Sequence, residues 1–266
     1  MKSWNGKQID PRYFILLFLF TFVLTGQLFL DFFQKWDAFF AAIGTAMAVE
    51  FVLSGLIHKS WKFPLSALIS GMGISLILSS FLIWPYVLAS VLAISAKYMF
   101  RLGGRHVFNP NNVAVVCVLF FLPQYVVSTP KQWTNDIQVM ILMLVLGAIA
   151  AWSANRLDTV AAFVASFSVF AWMRHIWADE PIYYSMGPMM GASFQLFVFF
   201  MLTDPKTTPS SPYARVWIAV CIAGVDALLR VYGVTNSLFY AAFIITVLIG
   251  IPYRWYMTRE RTLPSA

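Results

Sequence analysis

Apolar runs of about 17 to 22 residues, each bounded by charge, proline or asparagine, recur near 13–30, 38–57, 64–80, 82–99, 112–127, 136–153, 158–177, 186–202, 213–230 and 236–251. A helix needs roughly 20 apolar residues to cross the hydrocarbon core of a bilayer. The pattern therefore predicts an all-α polytopic membrane protein of about ten transmembrane helices. They would form two related halves, 13–127 and 136–251, inside one integral membrane domain spanning 1–266. The tightest connection is 79–84, and the Gly-, Pro- and Met-rich stretch after Pro181 suits a broken or re-entrant helix. The run from Tyr13 to Leu30 is too long for a signal-peptide core and has no small-residue cleavage site, so it reads as a retained helix.

Composition strengthens the membrane reading. Of 266 residues, 60% are hydrophobic and 11% charged, against about 25% charged in an ordinary soluble chain. With an N-terminus inside and ten crossings, fourteen of the eighteen Lys and Arg fall on the inner side, and Lys35, Lys131, Arg174 and Arg230 fall outside. By the positive-inside rule this predicts a multi-pass protein of a bacterial-type cytoplasmic (inner) membrane with both termini cytoplasmic. Trp36, Trp61, Trp84, Trp133, Trp177, Trp217 and Trp255 lie near the expected helix ends, where indoles anchor in the headgroup layer. The net charge of +7 points to anionic lipids as partners rather than nucleic acid, because no basic and aromatic module accompanies it. No connection is long enough for a nucleotide-binding module. Cys117 and Cys221 read as buried small hydrophobes, and His58, His106 and His175 lack the spacing of a metal site.

Two polar interruptions carry most of the available chemistry. One is Arg101-Leu-Gly-Gly-Arg-His-Val-Phe-Asn-Pro-Asn-Asn112; the other is Met201-Leu-Thr-Asp-Pro-Lys-Thr-Thr-Pro-Ser-Ser-Pro212. Each sets an Asn or Asp immediately before proline, at Asn109-Pro110 and Asp204-Pro205, and so suggests a duplicated unit with one break per half. Asn or Asp can cap the following helix, proline suits its first turn, and Gly103-Gly104 lets backbone approach a ligand. Helix N-termini there could receive phosphate or carboxylate, with Arg105, His106 and Lys206 adding charge and Thr203, Thr207 and Thr208 adding hydroxyls. A capped, Pro-marked turn with no ligand explains the same residues. Glu50, within an apolar run, is a candidate for an ion or proton path or an internally bonded structural acid, whereas Asp226 can pair with Arg230 at i,i+4. Ser66, Ser70, Gly71 and Gly73 form a small-residue face suited to close helix packing. Met186-Gly-Pro-Met-Met-Gly191 could unwind to bind an ion or lie against a planar ring.

The stretch from Lys97 through Arg101-Leu-Gly-Gly-Arg-His-Val-Phe-Asn-Pro and the stretch Gly191-Ala-Ser-Phe-Gln through Thr203-Asp-Pro-Lys resemble the NqrB/RnfD family of membrane electron-transport proteins, found in the sodium-pumping NADH:quinone reductase and the Rnf complex. Ser66-Ala-Leu-Ile-Ser-Gly-Met-Gly and Gly-Arg-His-Val-Phe-Asn-Pro look closest to its stand-alone branch associated with enediyne biosynthesis. The resemblance implies a membrane electron-transfer subunit that binds flavin and works with a partner redox protein or a quinone. Carried over, Gly104, Arg105, His106, Asn109, Pro110, Thr203, Asp204, Pro205 and Lys206 would lie at the cofactor site. The Ser-Gly-Ala-Thr motif that carries covalent FMN in the family has no counterpart, and Ser128-Thr129-Pro130 is its nearest short likeness. The expected cofactor is therefore noncovalent FMN or riboflavin. An ion or small-anion transporter using the paired breaks, and a structural membrane subunit without redox activity, stand beside that reading.

Overall fold

The computed structural model describes residues 3–4, 7–8, 10–29, 36–59, 61–128 and 137–262. A short N-terminal ribbon, β1 (Ser3–Trp4) and β2 (Lys7–Gln8), precedes α1 (Arg12–Phe29) and α2 (Trp36–His58). Next come α3 (Leu65–Ile77), β3 (Leu78–Ser79), α4 (Trp84–Met99), a hairpin of β4 (Arg101–Leu102) and β5 (Arg105–His106), α5 (Pro110–Phe121) and β6 (Val127–Ser128). Beyond them lie α6 (Ile137–Ser153), α7 (Leu157–Trp177), the short α8 (Ile182–Met186) and α9 (Ala192–Leu196), α10 (Pro212–Val231), α11 (Ser237–Ile245) and α12 (Ile251–Thr262). A π-helical turn, Phe197–Met201, extends α9, and another, Thr246–Gly250, joins α11 to α12.

Large aromatic side chains build the core. Phe18, Phe22, Phe163, Phe167, Phe197 and Phe239 are fully buried, and their edge-to-face contacts include Phe167 on Phe194 at 4.9 Å and Phe197 on Phe239 at 6.0 Å. Helix α7 packs on α10, while α2 packs on both α3 and α4. A Cβ on Gly71 would lie 2.7 Å from the Ile43 Cα, so the small-residue face of α3 does serve close packing. At the end of α3 the chain turns through β3, which pairs antiparallel with β6. The Tyr86 hydroxyl clamps that turn by accepting from Ser80 N at 3.0 Å and donating to the Leu78 carbonyl at 3.3 Å.

The expectation of a ten-helix polytopic fold is corrected. Among the described residues, three helices are long and apolar enough to cross a membrane by length and composition: Trp36–His58, Leu157–Trp177 and the continuous Ser237–Arg259. The other apolar runs are interrupted by local structure that hydropathy does not register. The run 64–80 yields a helix of 13 residues stopped by β3, and 112–127 yields one of 12 residues. At 1.5 Å per residue the latter spans about 18 Å, well short of a hydrocarbon core of about 30 Å. The run 186–202 divides into α8, a 3-10 turn (Gly187–Met190), α9 and a π turn. Much of the apolar excess packs these short helices on one another in one continuous core. The rest lies on outward faces, among them Phe20 and Leu28 of α1, Phe40 and Leu56 of α2 and Val169 and Trp172 of α7.

The inner-membrane placement with both termini cytoplasmic fails with the ten crossings, because sorting the basic residues to two sides needed that count. Two ends of the helical bundle are nonetheless distinct. The β4–β5 hairpin, the start of α5 and the chain after the 197–201 turn share one end, the hairpin end. The β3–β6 ribbon, the last turns of α7 and α10 and the start of α11 share the other, the ribbon end.

Candidate functional site

The two Asx-Pro breaks meet at the hairpin end. Asn109 caps α5, its Oδ1 accepting from Asn111 N at 3.0 Å and Asn112 N at 3.2 Å, and Pro110 occupies the first turn, where a missing N–H costs nothing. Its amide then reaches across the fold, donating to the Met201 carbonyl at 3.3 Å and to Asp204 Oδ2 at 3.5 Å. The receiving carbonyl ends the π turn. Asp204 organises its own break: Oδ1 accepts from Lys206 N at 3.0 Å, and its carbonyl accepts from the backbone N–H groups of Thr207 and Thr208. Arg254 of α12 joins the breaks, donating to the His106 carbonyl on one side and to the Lys206 and Thr207 carbonyls on the other. Arg156, from the α6–α7 turn, steadies the second break through Thr208 Oγ1 at 2.9 Å.

A cavity of about 350 Å³ opens between the breaks, within the size range of small-molecule sites. Its apolar wall includes Ile15, Ile69 and Phe200; its polar lining includes Asp10, Arg12, Ser66, Lys97, His106, Asn109, Asn111, Asp204 and Lys206. Pro110 and Pro205 also line it. Two ion pairs, Arg12 with Asp10 and Lys97 with Glu50, neutralise most of the charge there. Arg12 grips Asp10 through Nε at 2.8 Å, which holds the Asp10 carboxyl below its ordinary value. Lys97 pairs with Glu50 and donates to Ser66 Oγ at 2.7 Å, so Glu50 stands behind the lining with Tyr98 OH also donating to it at 3.2 Å. Asp204 faces the Lys206 backbone.

His106 is buried, with Nδ1 3.2 Å from the Lys97 carbonyl. A carbonyl only accepts, so Nδ1 carries the proton and Nε2 is an acceptor in the neutral ring. Burial, reinforced by the Lys206 charge, pushes the His106 pKa down and favours that neutral form. Asn111 lines the cavity, donates to the Ser70 carbonyl at 3.1 Å, and leaves a buried Oδ1 without a partner. An unpaired buried acceptor costs about 1–3 kcal/mol, and a donor from a ligand would recover that.

Other residues singled out in the sequence lie elsewhere or are already engaged. Gly103 and Gly104 take φ values of +58° and +76° as the two-residue turn of the β4–β5 hairpin, so their flexibility makes a turn rather than a ligand cradle. Arg105 is exposed and lines a smaller neighbouring cavity of about 130 Å³ beside Tyr253 and Arg254. Thr203 is buried and donates to the Phe199 carbonyl at 2.6 Å. The first N–H groups of α5 are taken by Asn109, so this helix start does not present an open anion site. Thr129 and Pro130 lie outside the described residues. Arg12, Lys97, Asn111 and Arg254 were not among the sequence candidates for this site; Lys97 and Asn111 stood only within the stretches that carry the first break.

Neither a protein-family model nor a curated protein matches the chain. The likeness to the electron-transport proteins rests on the short stretches around the two Asx-Pro motifs and on Ser66–Gly73. The electron-transfer function expected from it is corrected, because it required a ten-helix membrane frame that the chain does not build. The transporter and structural membrane-subunit alternatives fall for the same reason. The described residues define instead a helical fold with a polar cavity at the junction of two proline breaks.

Proposed function

We propose that the protein binds a small, uncharged polar molecule in the cavity between the Asx-Pro breaks, one that brings N–H or O–H donors as well as oxygen acceptors. The partnerless Oδ1 of Asn111 in a lining whose charge is mostly paired carries this reading. Asn111 and neutral His106 supply acceptors, Lys206 supplies a donor, and Phe200 offers an apolar wall for a flat ring. Riboflavin has that chemistry: an imide edge with both donor and acceptors, a hydroxylated chain and no charge. Arg12 and Lys97 are already paired, and Asp204 beside Lys206 offsets what a phosphate would gain from that ammonium, so FMN gains little over riboflavin here.

Quenching of riboflavin fluorescence on titration into protein purified in mild detergent tests the proposal. Saturable quenching is expected, with FMN no tighter. Replacing Asn111 by leucine removes the acceptor and is expected to weaken binding by about tenfold, the equivalent of one hydrogen bond of roughly 1.4 kcal/mol. Absence of saturable quenching, or equal affinity in Asn111→Leu at an unchanged melting temperature, would overturn it.

A further inference from the structure

A second cavity, of about 330 Å³, lies at the ribbon end. It is walled by the Gly- and Pro-containing segment around Pro188 and Gly191 and by the start of α11, with Arg174, Arg230, Tyr184 and Phe194 in its lining. Both guanidiniums gather on one aromatic ring: the Arg174 and Arg230 carbons lie 5.8 and 5.5 Å from the Phe167 centroid. Each arginine has one carboxylate. Arg174 Nε donates to Glu180 Oε2 at 3.1 Å, and Arg230 Nε donates to Asp226 Oδ2 at 2.8 Å. Those carboxylates are further occupied by hydroxyls, Ser185 on Glu180 at 2.7 Å and Ser237 on Asp226 at 2.6 Å.

The arginines keep donors in reserve. Arg174, only 5% exposed, also donates through Nη2 to the Ser185 carbonyl at 3.1 Å, but its buried Nη1 has no partner. Arg230 bonds through Nε alone among the described residues. Guanidinium groups donate and never accept, and their planar fork matches the two oxygens of a carboxylate. Each existing acid is held by an arginine and a serine hydroxyl, Glu180, which also lines the cavity, through Oε2 and Asp226 through both oxygens, so a further carboxylate would meet the open guanidinium donors beside acids already bound in place.

We infer that the ribbon-end cavity is a binding site for a small organic carboxylate with an apolar or aromatic body, held between Arg174 and Arg230. Tyr184 and Phe194 give the body its contact surface, and the Pro188–Gly191 turn gives it a wall in place of a regular helix. This site is separate from the hairpin-end cavity and does not depend on what binds there.

Calorimetric titration of the full chain in mild detergent with benzoate, benzamide and inorganic phosphate tests the inference. Benzoate is expected to bind, with benzamide and phosphate at least tenfold weaker. Arg230→Lys keeps the charge opposite Asp226 but loses the fork, and is expected to weaken benzoate by about tenfold, one charge-assisted hydrogen bond. Tyr184, largely exposed, provides a second variant that does not threaten folding: Tyr184→Ala should weaken benzoate at an unchanged melting temperature. No benzoate binding, benzamide or phosphate binding as tightly as benzoate, or unchanged benzoate affinity in both variants would overturn the inference.

Discussion

The hairpin end and the ribbon end both surround cavities of similar size with paired charges, yet they are held in different ways. At the hairpin end, backbone carbonyls of two separate turns are gathered by side chains: Asn109 reaches Met201, and Arg254 reaches His106, Lys206 and Thr207. At the ribbon end, two side-chain ion pairs, one of them with a fully buried Asp226, are arranged around Phe167. Carbonyl acceptors deprived of a partner can take water or shift, whereas a buried carboxylate deprived of its cation has no equivalent recourse. The ribbon end is therefore the more brittle of the two.

That difference orders the expected effects. Arg230→Ala leaves Asp226 buried and without its cation, and should lower stability by about 3–4 kcal/mol, since breaking a buried pair costs 3–5 and Arg230 itself is partly exposed. Chemical denaturation measures this, and an Asp226→Asn, Arg230→Ala double variant should recover part of the loss. Arg254→Ala removes three charge-assisted contacts to turn carbonyls and should cost about 2–3 kcal/mol while also abolishing ligand binding in the hairpin-end cavity. A loss larger than that of Arg230→Ala would invert the ranking. Asn109→Ala takes away a helix cap and the link to Asp204, and should cost about 1 kcal/mol in thermal unfolding.

The smallest effect is a pH dependence at the hairpin end that begins near neutral pH. Burial and Lys206 depress the His106 pKa, so the unfolded chain takes up a proton that the folded chain resists. This contribution is complete above about pH 6.5, the ordinary histidine value, and is lost as pH falls from there through the lowered folded value. Denaturation midpoints measured from pH 7.5 downward should decline over that window, and His106→Gln should flatten the decline without altering a variant comparison at the ribbon end.

The two ends also differ in how much of them could be read from sequence. Asn109-Pro110 and Asp204-Pro205 advertise themselves because capping and proline restriction act over three or four consecutive residues. The pairing of Asp226 with Arg230 is visible for the same reason, being one helical turn apart. Arg254 and Asn111 carry no local mark: one acts across 148 residues on His106, and the other matters because a single amide oxygen has no partner once α5 is packed. The Arg174 and Arg230 cluster depends on α7 lying against α10, which periodicity does not specify. Run length misled the count of crossings, since hydropathy averages over Leu78–Ser79 and over the 187–201 breaks, where the backbone leaves the α-helix without becoming polar.

Photolabelling with an azido derivative of riboflavin, followed by peptide mapping, locates the ligand directly. Label is expected on peptides covering 97–111 or 200–206, competed by unmodified riboflavin and requiring about tenfold more reagent in Asn111→Leu. Competed label on 174–195 or 230–239, or no competed label at all, would contradict the assignment of riboflavin binding to the junction of the two Asx-Pro breaks.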